Sequence, residues 1–125
     1  METISVIGVG YVGLPLAVEF SKFYNVTGFD LNTSRIEELI NFIDSTGEVE
    51  PEDLKKASNL NFSSDHEDLE GSDYFIITVP TPITKSKKPD LEPLISACNL
   101  VGELMSKGIT VVFESDFLVQ YSGWE

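Results

Sequence analysis

The chain has 125 residues, 42% of them hydrophobic and 23% charged, which fits one globular domain and argues against both disorder and a membrane span. Its 21 acidic and 8 basic side chains leave a net charge of −13, which disfavours nucleic acid as a partner because neutralising phosphates takes clustered lysine and arginine. The single cysteine, Cys98, excludes an internal disulfide and suits a reducing cytoplasm, and Met1-Glu2-Thr3 lacks the basic stretch of a secretion signal.

Ile4-Ser5-Val6-Ile7 reads as a buried parallel strand. Residues 8–13 form a glycine-rich turn into a helix over 11–23, with Pro15 tolerated in its first turn. Leu14, Ala17, Val18 and Ser21 face the sheet. A second strand over 26–29 ends at Asp30, and Asn32 is placed to cap the next helix, whose inward face is Ile36, Leu39, Ile40 and Ile43. A polar loop over 44–50 leads to a short helix opened by Pro51, a third strand over 60–63, and an acidic turn or single helical turn over 65–71. The continuously apolar run 74–79 is a central fourth strand, broken by Pro80-Thr81-Pro82. Asp90 caps a helix running to about residue 107, with Leu94, Ala97, Cys98, Val101, Leu104 and Met105 inward and Gly108 as its stop. Residues 109–113 form the fifth strand. This alternation predicts an α/β doubly wound parallel sheet of about five strands, order 3-2-1-4-5, with helices on both faces and a crevice between strands 1 and 4.

The chemistry concentrates at that crevice. Gly8-Val9-Gly10-Tyr11-Val12-Gly13 lies between a strand and a helix, and Asp30 follows Gly8 by 22 residues. Gly8 permits the tight turn, Gly10 lets a pyrophosphate approach the backbone, and Gly13 lets the helix pack close to the strand. The helix start offers free N–H groups and a positive dipole end, so a strongly acidic chain can still hold an anion locally. Asp30 is placed to accept the ribose hydroxyls of an adenosine and to repel a 2′-phosphate, which favours NAD over NADP as the cofactor. Arg35 leaves two readings open: a cation near the ribose that takes a phosphate, or an exposed residue at a helix start. Thr81 stands at the end of strand 4, either meeting the cofactor or merely belonging to a turn that stops the strand. Glu114 and Ser115 leave strand 5 with the same ambiguity. Cys98 reads as a packed small hydrophobe rather than a nucleophile, and His66 as a surface residue. Lys85, Lys87 and Lys88 read as a solvated loop, with contact to a phosphorylated substrate as the alternative. No Cys/His cluster has metal-ligand spacing.

These residues together resemble the UDP-glucose/GDP-mannose dehydrogenase family. The run from Ile4 to Ala17, with its GxGYVGLP form, carries the resemblance, supported by Gly28-Phe29-Asp30, Thr46-Gly47-Glu48-Val49, Val79-Pro80-Thr81-Pro82-Ile83 and Lys88-Pro89-Asp90-Leu91-Glu92-Pro93-Leu94. The second and third of these four are similar to the branch acting on UDP-N-acetylhexosamines, including the Vi polysaccharide type. The resemblance covers 3–115, the start of the family's cofactor domain. It implies a Rossmann fold and NAD-dependent oxidation of a UDP-sugar C6 hydroxyl to a uronic acid, for a surface polysaccharide. It assigns Gly8, Gly10, Tyr11, Val12 and Gly13 to the pyrophosphate loop, Asp30 to the ribose, Arg35 to the adenosine side, and Thr81 and Ser115 to the nicotinamide half.

Two departures from the family pattern set further expectations. After Glu114-Ser115 the family continues with a Thr-Val-x-Pro-Gly-like segment, whereas this chain has an apolar tail over 116–125. That divides the chain into a partial NAD-binding domain, 1–115, and a divergent tail expected to extend strand 5, pack on the fold or bury in a homo-oligomer. The family's catalytic cysteine, lysine and asparagine belong to later segments, and Cys98 does not match the catalytic motif. The chain is therefore expected to be truncated and catalytically incomplete. The alternatives are a stand-alone NAD-binding or regulatory module, a truncated product without function, or a Rossmann enzyme using S-adenosylmethionine.

Overall fold

The computed structural model describes residues 2–79, 85–88, 90–104 and 110–113. Five strands, β1 (Thr3–Ile7), β2 (Asn25–Phe29), β3 (Leu60–Ser63), β4 (Tyr74–Ile77) and β5 (Thr110–Phe113), form one sheet in the order β3-β2-β1-β4-β5. Every pairing is parallel. This is the anticipated doubly wound order, and its switch of direction lies at β1, between β2 and β4.

Helices α1 (Gly13–Phe20), α2 (Thr33–Ile40) and α3 (Pro51–Lys56) cover one face, and α4 (Glu92–Leu104) with a 3₁₀ turn (His66–Leu69) covers the other. Side chains alternate across each strand, so Ile4, Val6, Val26 and Ile76 join Leu14, Ala17, Ile36 and Leu39 in one core. Ile7, Phe29, Phe75 and Ile77 join Leu69, Ala97 and Val101 in the second. Ser5 is fully buried among these strands, and its hydroxyl is satisfied by Ser72 Oγ, which donates to the Leu69 carbonyl at 2.9 Å.

Several elements depart from their expected form, among them β4, which ends at Ile77 and not at residue 79. α1 is shorter than 11–23, because residues 21–23 curl into a turn closed by Phe23 N–H on the Phe20 carbonyl at 3.0 Å. α2 stops at Ile40, so Ile40 and Ile43 are 54% and 55% exposed instead of inward. The stop is a Schellman closure: Phe42 at φ 63° donates to the Leu39 carbonyl, and Ile43 donates to the Glu38 carbonyl at 2.8 Å. Cys98, expected on the packed face of α4, is exposed. The inward stripe of α4 runs through Leu94, Ala97, Val101 and Leu104, and Cys98 lies one helical step of about 100° beyond it. The expected Asp90 cap is realised just ahead of α4, where Asp90 Oδ1 accepts from the Glu92 amide at 3.0 Å.

Candidate cofactor site

Three strand ends meet at Gly8. Its amide donates to the Phe29 carbonyl at 2.7 Å, while the Thr78 amide donates to the Ile7 carbonyl at 2.9 Å. Gly8 has φ +98°, and a Cβ there would press against the Val79 nitrogen at 3.0 Å. A Cβ on Gly13 would collide with the Gly8 carbonyl and Thr78 Oγ1. Gly10 differs from both, for a Cβ there would meet nothing within 4 Å. Its lack of a side chain is therefore not demanded by packing.

α1 begins beside that open space. Val12 is its N-cap and supplies no side-chain cap, whereas on α2 the Asn32 side chain accepts from the Arg35 amide at 3.2 Å. The Leu14 amide donates to the Gly10 carbonyl at 3.2 Å and Pro15 has no N–H, so the start of α1 offers the Gly13 amide and the positive end of the helix dipole. Tyr11 and Val12 are exposed at the same rim, by 67% and 40%.

Asp30 and Arg35 both act on this loop. Asp30 Oδ2 accepts from the Val9 amide at 3.2 Å, and Oδ1 accepts from the Asn32 amide at 3.0 Å. Arg35 is only 9% exposed, which overturns the reading of an exposed helix-start residue. Its Nε donates to the Val9 carbonyl at 2.8 Å, and Nη1 donates to Glu38 Oε1 at 2.6 Å and Asp44 Oδ1 at 2.7 Å. Burial is the largest single influence on the guanidinium and opposes its charge. The hydrogen bonds to Glu38 and Asp44 together outweigh it and raise the pKa. Burial likewise pushes the Asp44 carboxyl up, but donors from Thr46, Arg35 and Val49 prevail and hold it down at about 2.

The sheet's carboxyl end opens into a cleft of about 650 Å³ whose lining includes Gly8, Asp30, Ser64, Val79, Pro93 and Ala97. Among the described residues, the buried side-chain polar atoms without a partner are Arg35 Nη2 and Ser64 Oγ, and Ser64 lines this cleft. An apolar cleft with Gly8, a carboxylate and a spare hydroxyl in its lining suits a dinucleotide. His66 is exposed, as expected, yet it is also among the residues lining the cleft. Lys85, Lys87 and Lys88 are exposed. Thr81, Glu114, Ser115, Met105, Gly108 and the tail over 116–125 lie outside the described residues, as do the contacts expected of them. Among the described residues, no group of three or more metal-ligating side chains converges, and no helix is long and apolar enough to cross a membrane.

Two residues of the site had no role in the sequence reading. Thr78 Oγ1 donates to the Gly8 carbonyl at 2.5 Å from a buried position. A lone threonine at the end of an apolar strand, one place beyond the pair Ile7 and Ile77, was the available signal. Asp44 gathers the loop that follows α2, and its signal was the Asp-Ser-Thr-Gly run, whose side chains fold back on their own backbone.

Comparison with known proteins places this geometry in a family. The profile described as UDP-glucose/GDP-mannose dehydrogenase family, NAD binding domain, matches residues 2–122, beyond residue 115 and into the segment expected to diverge. UDP-N-acetyl-D-glucosamine 6-dehydrogenase of Pseudomonas aeruginosa is 52% identical over 112 residues, 90% of this chain and 26% of that protein. Protein CapL of Staphylococcus aureus is 50% identical over 91% of this chain and 27% of its own length. The structure of a UDP-D-ManNAc dehydrogenase from Pyrococcus horikoshii superposes with a TM-score of 0.85 at 35% identity, covering 90% of this chain and 28% of that one. The chain thus spans about a quarter of the length of the curated relatives it matches. On the profile match and these identities, the chain belongs to the UDP-glucose/GDP-mannose dehydrogenase family and corresponds to its NAD-binding domain.

Proposed function

We propose that these 125 residues hold NAD, with its pyrophosphate over the 8–13 loop and the start of α1 and its adenosine ribose on Asp30. The reading is carried by one junction: open space at Gly10, a helix start without a side-chain cap, and the Asp30 carboxylate, which lines the cleft together with Gly8. Gly8 and Gly13 shape the loop, and Tyr11 and Val12 border the phosphates. Arg35 serves the adenosine side by holding Val9. Thr81 and Ser115 are assigned to the nicotinamide half by family resemblance. Bound NAD supplies a hydride acceptor, and the chain's own residues bind and orient it.

In the whole protein we assign this domain to the oxidation of a UDP-sugar C6 hydroxyl to a carboxylate, on a UDP-N-acetylhexosamine in the manner of its relatives. The 125 residues by themselves are not expected to complete that reaction. Their one cysteine, Cys98, is exposed on α4 and is not among the residues lining the cleft, so it offers no thiol for a covalent aldehyde-stage intermediate. Two measurements test the proposal. Saturable heat on titration with NAD supports cofactor binding, and none at millimolar NAD sinks it. Incubation with UDP-sugars and NAD should produce no NADH at an enzymatic rate, and NADH at such a rate would refute the inactivity.

A further inference from the structure

We infer that Asp44 and Glu38 are positioning residues of the cofactor loop, acting through Arg35 on the Val9 carbonyl. The inference rests on the proposed placement of NAD over the 8–13 loop.

The hydrogen bonds on two successive peptide planes carry the argument. In the plane joining Gly8 to Val9, Thr78 Oγ1 holds the carbonyl and Asp30 accepts from the amide. In the plane joining Val9 to Gly10, Arg35 Nε holds the carbonyl. A trans peptide is planar, so its N–H points opposite to its C=O. Fixing the Val9 carbonyl on Arg35 therefore aims the Gly10 N–H away from Arg35, on the residue where a Cβ would meet only open space. The aim of that donor is no better than the aim of the guanidinium.

The guanidinium is fixed from behind. Glu38 and Asp44 both accept from Nη1, which prevents rotation of the planar fork about its stem. Asp44 is itself immobilised, with its side chain 0% exposed. Its Oδ1 accepts from the Thr46 amide at 3.0 Å and Thr46 Oγ1 at 2.6 Å, and its Oδ2 from the Glu48 and Val49 amides, each at 2.9 Å. Glu38 Oε1 also accepts from Ser45 Oγ at 2.8 Å. The Thr46-Gly47-Glu48-Val49 stretch is thus wound around the carboxylate that steadies Arg35, and a loop needed only to join α2 to α3 requires no such centre. Preorganised donors of this kind bind because they need no reorganisation when the ligand arrives.

The test is a double-mutant cycle on the chain, with NAD affinity by calorimetry and amide exchange of Gly10 and Tyr11 by NMR, at a temperature where each variant is folded. Asp44→Asn should raise the NAD dissociation constant about tenfold and Glu38→Gln about threefold, with faster exchange at Gly10 in both. Arg35→Lys should be as severe as Asp44→Asn, and the pair together little worse than either one, because they share one path. Additive losses, or unchanged affinity and exchange in a folded Asp44→Asn variant, overturn the inference. Glu38→Gln serves if Asp44→Asn does not fold. If the unmodified chain takes up no NAD, the proposed placement of NAD fails separately, and the Gly10 exchange rates alone then decide whether Asp44 positions the loop.

Discussion

Asp30 and Arg35 hold one residue by its two ends: the carboxylate takes the Val9 amide at 3.2 Å, and the guanidinium takes the Val9 carbonyl at 2.8 Å. The glycine-rich segment is therefore a clamped turn. Its conformation is set by side chains from the end of β2 and from α2, and by Thr78 after β4. The consequences can be measured one position at a time.

Glycine substitutions should separate binding from folding. Gly10→Ala should change stability by less than about 0.5 kcal/mol, because the added methyl meets no neighbour. It should weaken NAD by about tenfold or more by filling the approach to the backbone. Gly13→Ala should destabilise the fold by about 3 kcal/mol or more, since the methyl would overlap the Gly8 carbonyl and Thr78 Oγ1. Thermal melts beside NAD titrations check both, and a stable Gly10→Ala variant with unaltered affinity would contradict the assignment.

Thr78→Val should cost about 1–3 kcal/mol, because it leaves the Gly8 carbonyl without its buried donor while keeping the side chain's shape. For a domain of this size that is a fall in melting temperature of roughly 4–15 °C. Thr78→Ser, which restores the hydroxyl, should recover most of it.

Discrimination against NADP should survive the loss of Asp30. Arg35 is buried with Nε held by the Val9 carbonyl and Nη1 by Glu38 and Asp44, which leaves only Nη2 unpartnered, so it has little freedom to turn toward a 2′-phosphate. Asp30→Asn should weaken NAD about tenfold or more and still leave NADP the poorer ligand. Competition between NADH and NADPH by fluorescence reads this directly, and a clear switch to NADPH in that single variant would show that Arg35 is available.

Acid should release the loop around Asp44. Its carboxyl is held at about 2 in the fold, against an ordinary 3.8. A group with a depressed folded-state pKa contributes stability that is complete above the ordinary value and disappears as pH falls through the depressed one. The contribution is on the order of 2 kcal/mol. The melting-temperature gap between the unmodified chain and Asp44→Asn should thus be constant above about pH 5, narrow from pH 4 downward, and be small near pH 2. A gap that widens toward pH 2 would reverse the sign argued here.

Much of the architecture follows from local pattern alone. Apolar runs of strand length alternate with helical periodicity, and consecutive parallel strands need right-handed crossovers, which leaves few sheet orders besides β3-β2-β1-β4-β5. The position of the glycine turn and the Asn32 cap were legible for the same reason: each depends on residues a fixed, short distance apart. Tertiary structure alone decided that Arg35 is buried under Val9, 26 positions away, and that Thr78 closes the Gly8 carbonyl, 70 positions away. It also decided that Cys98 faces out of α4. Periodicity says which side of a helix is apolar, but a polar side chain's partner is whatever the completed fold brings within 3 Å, and no local spacing encodes that meeting.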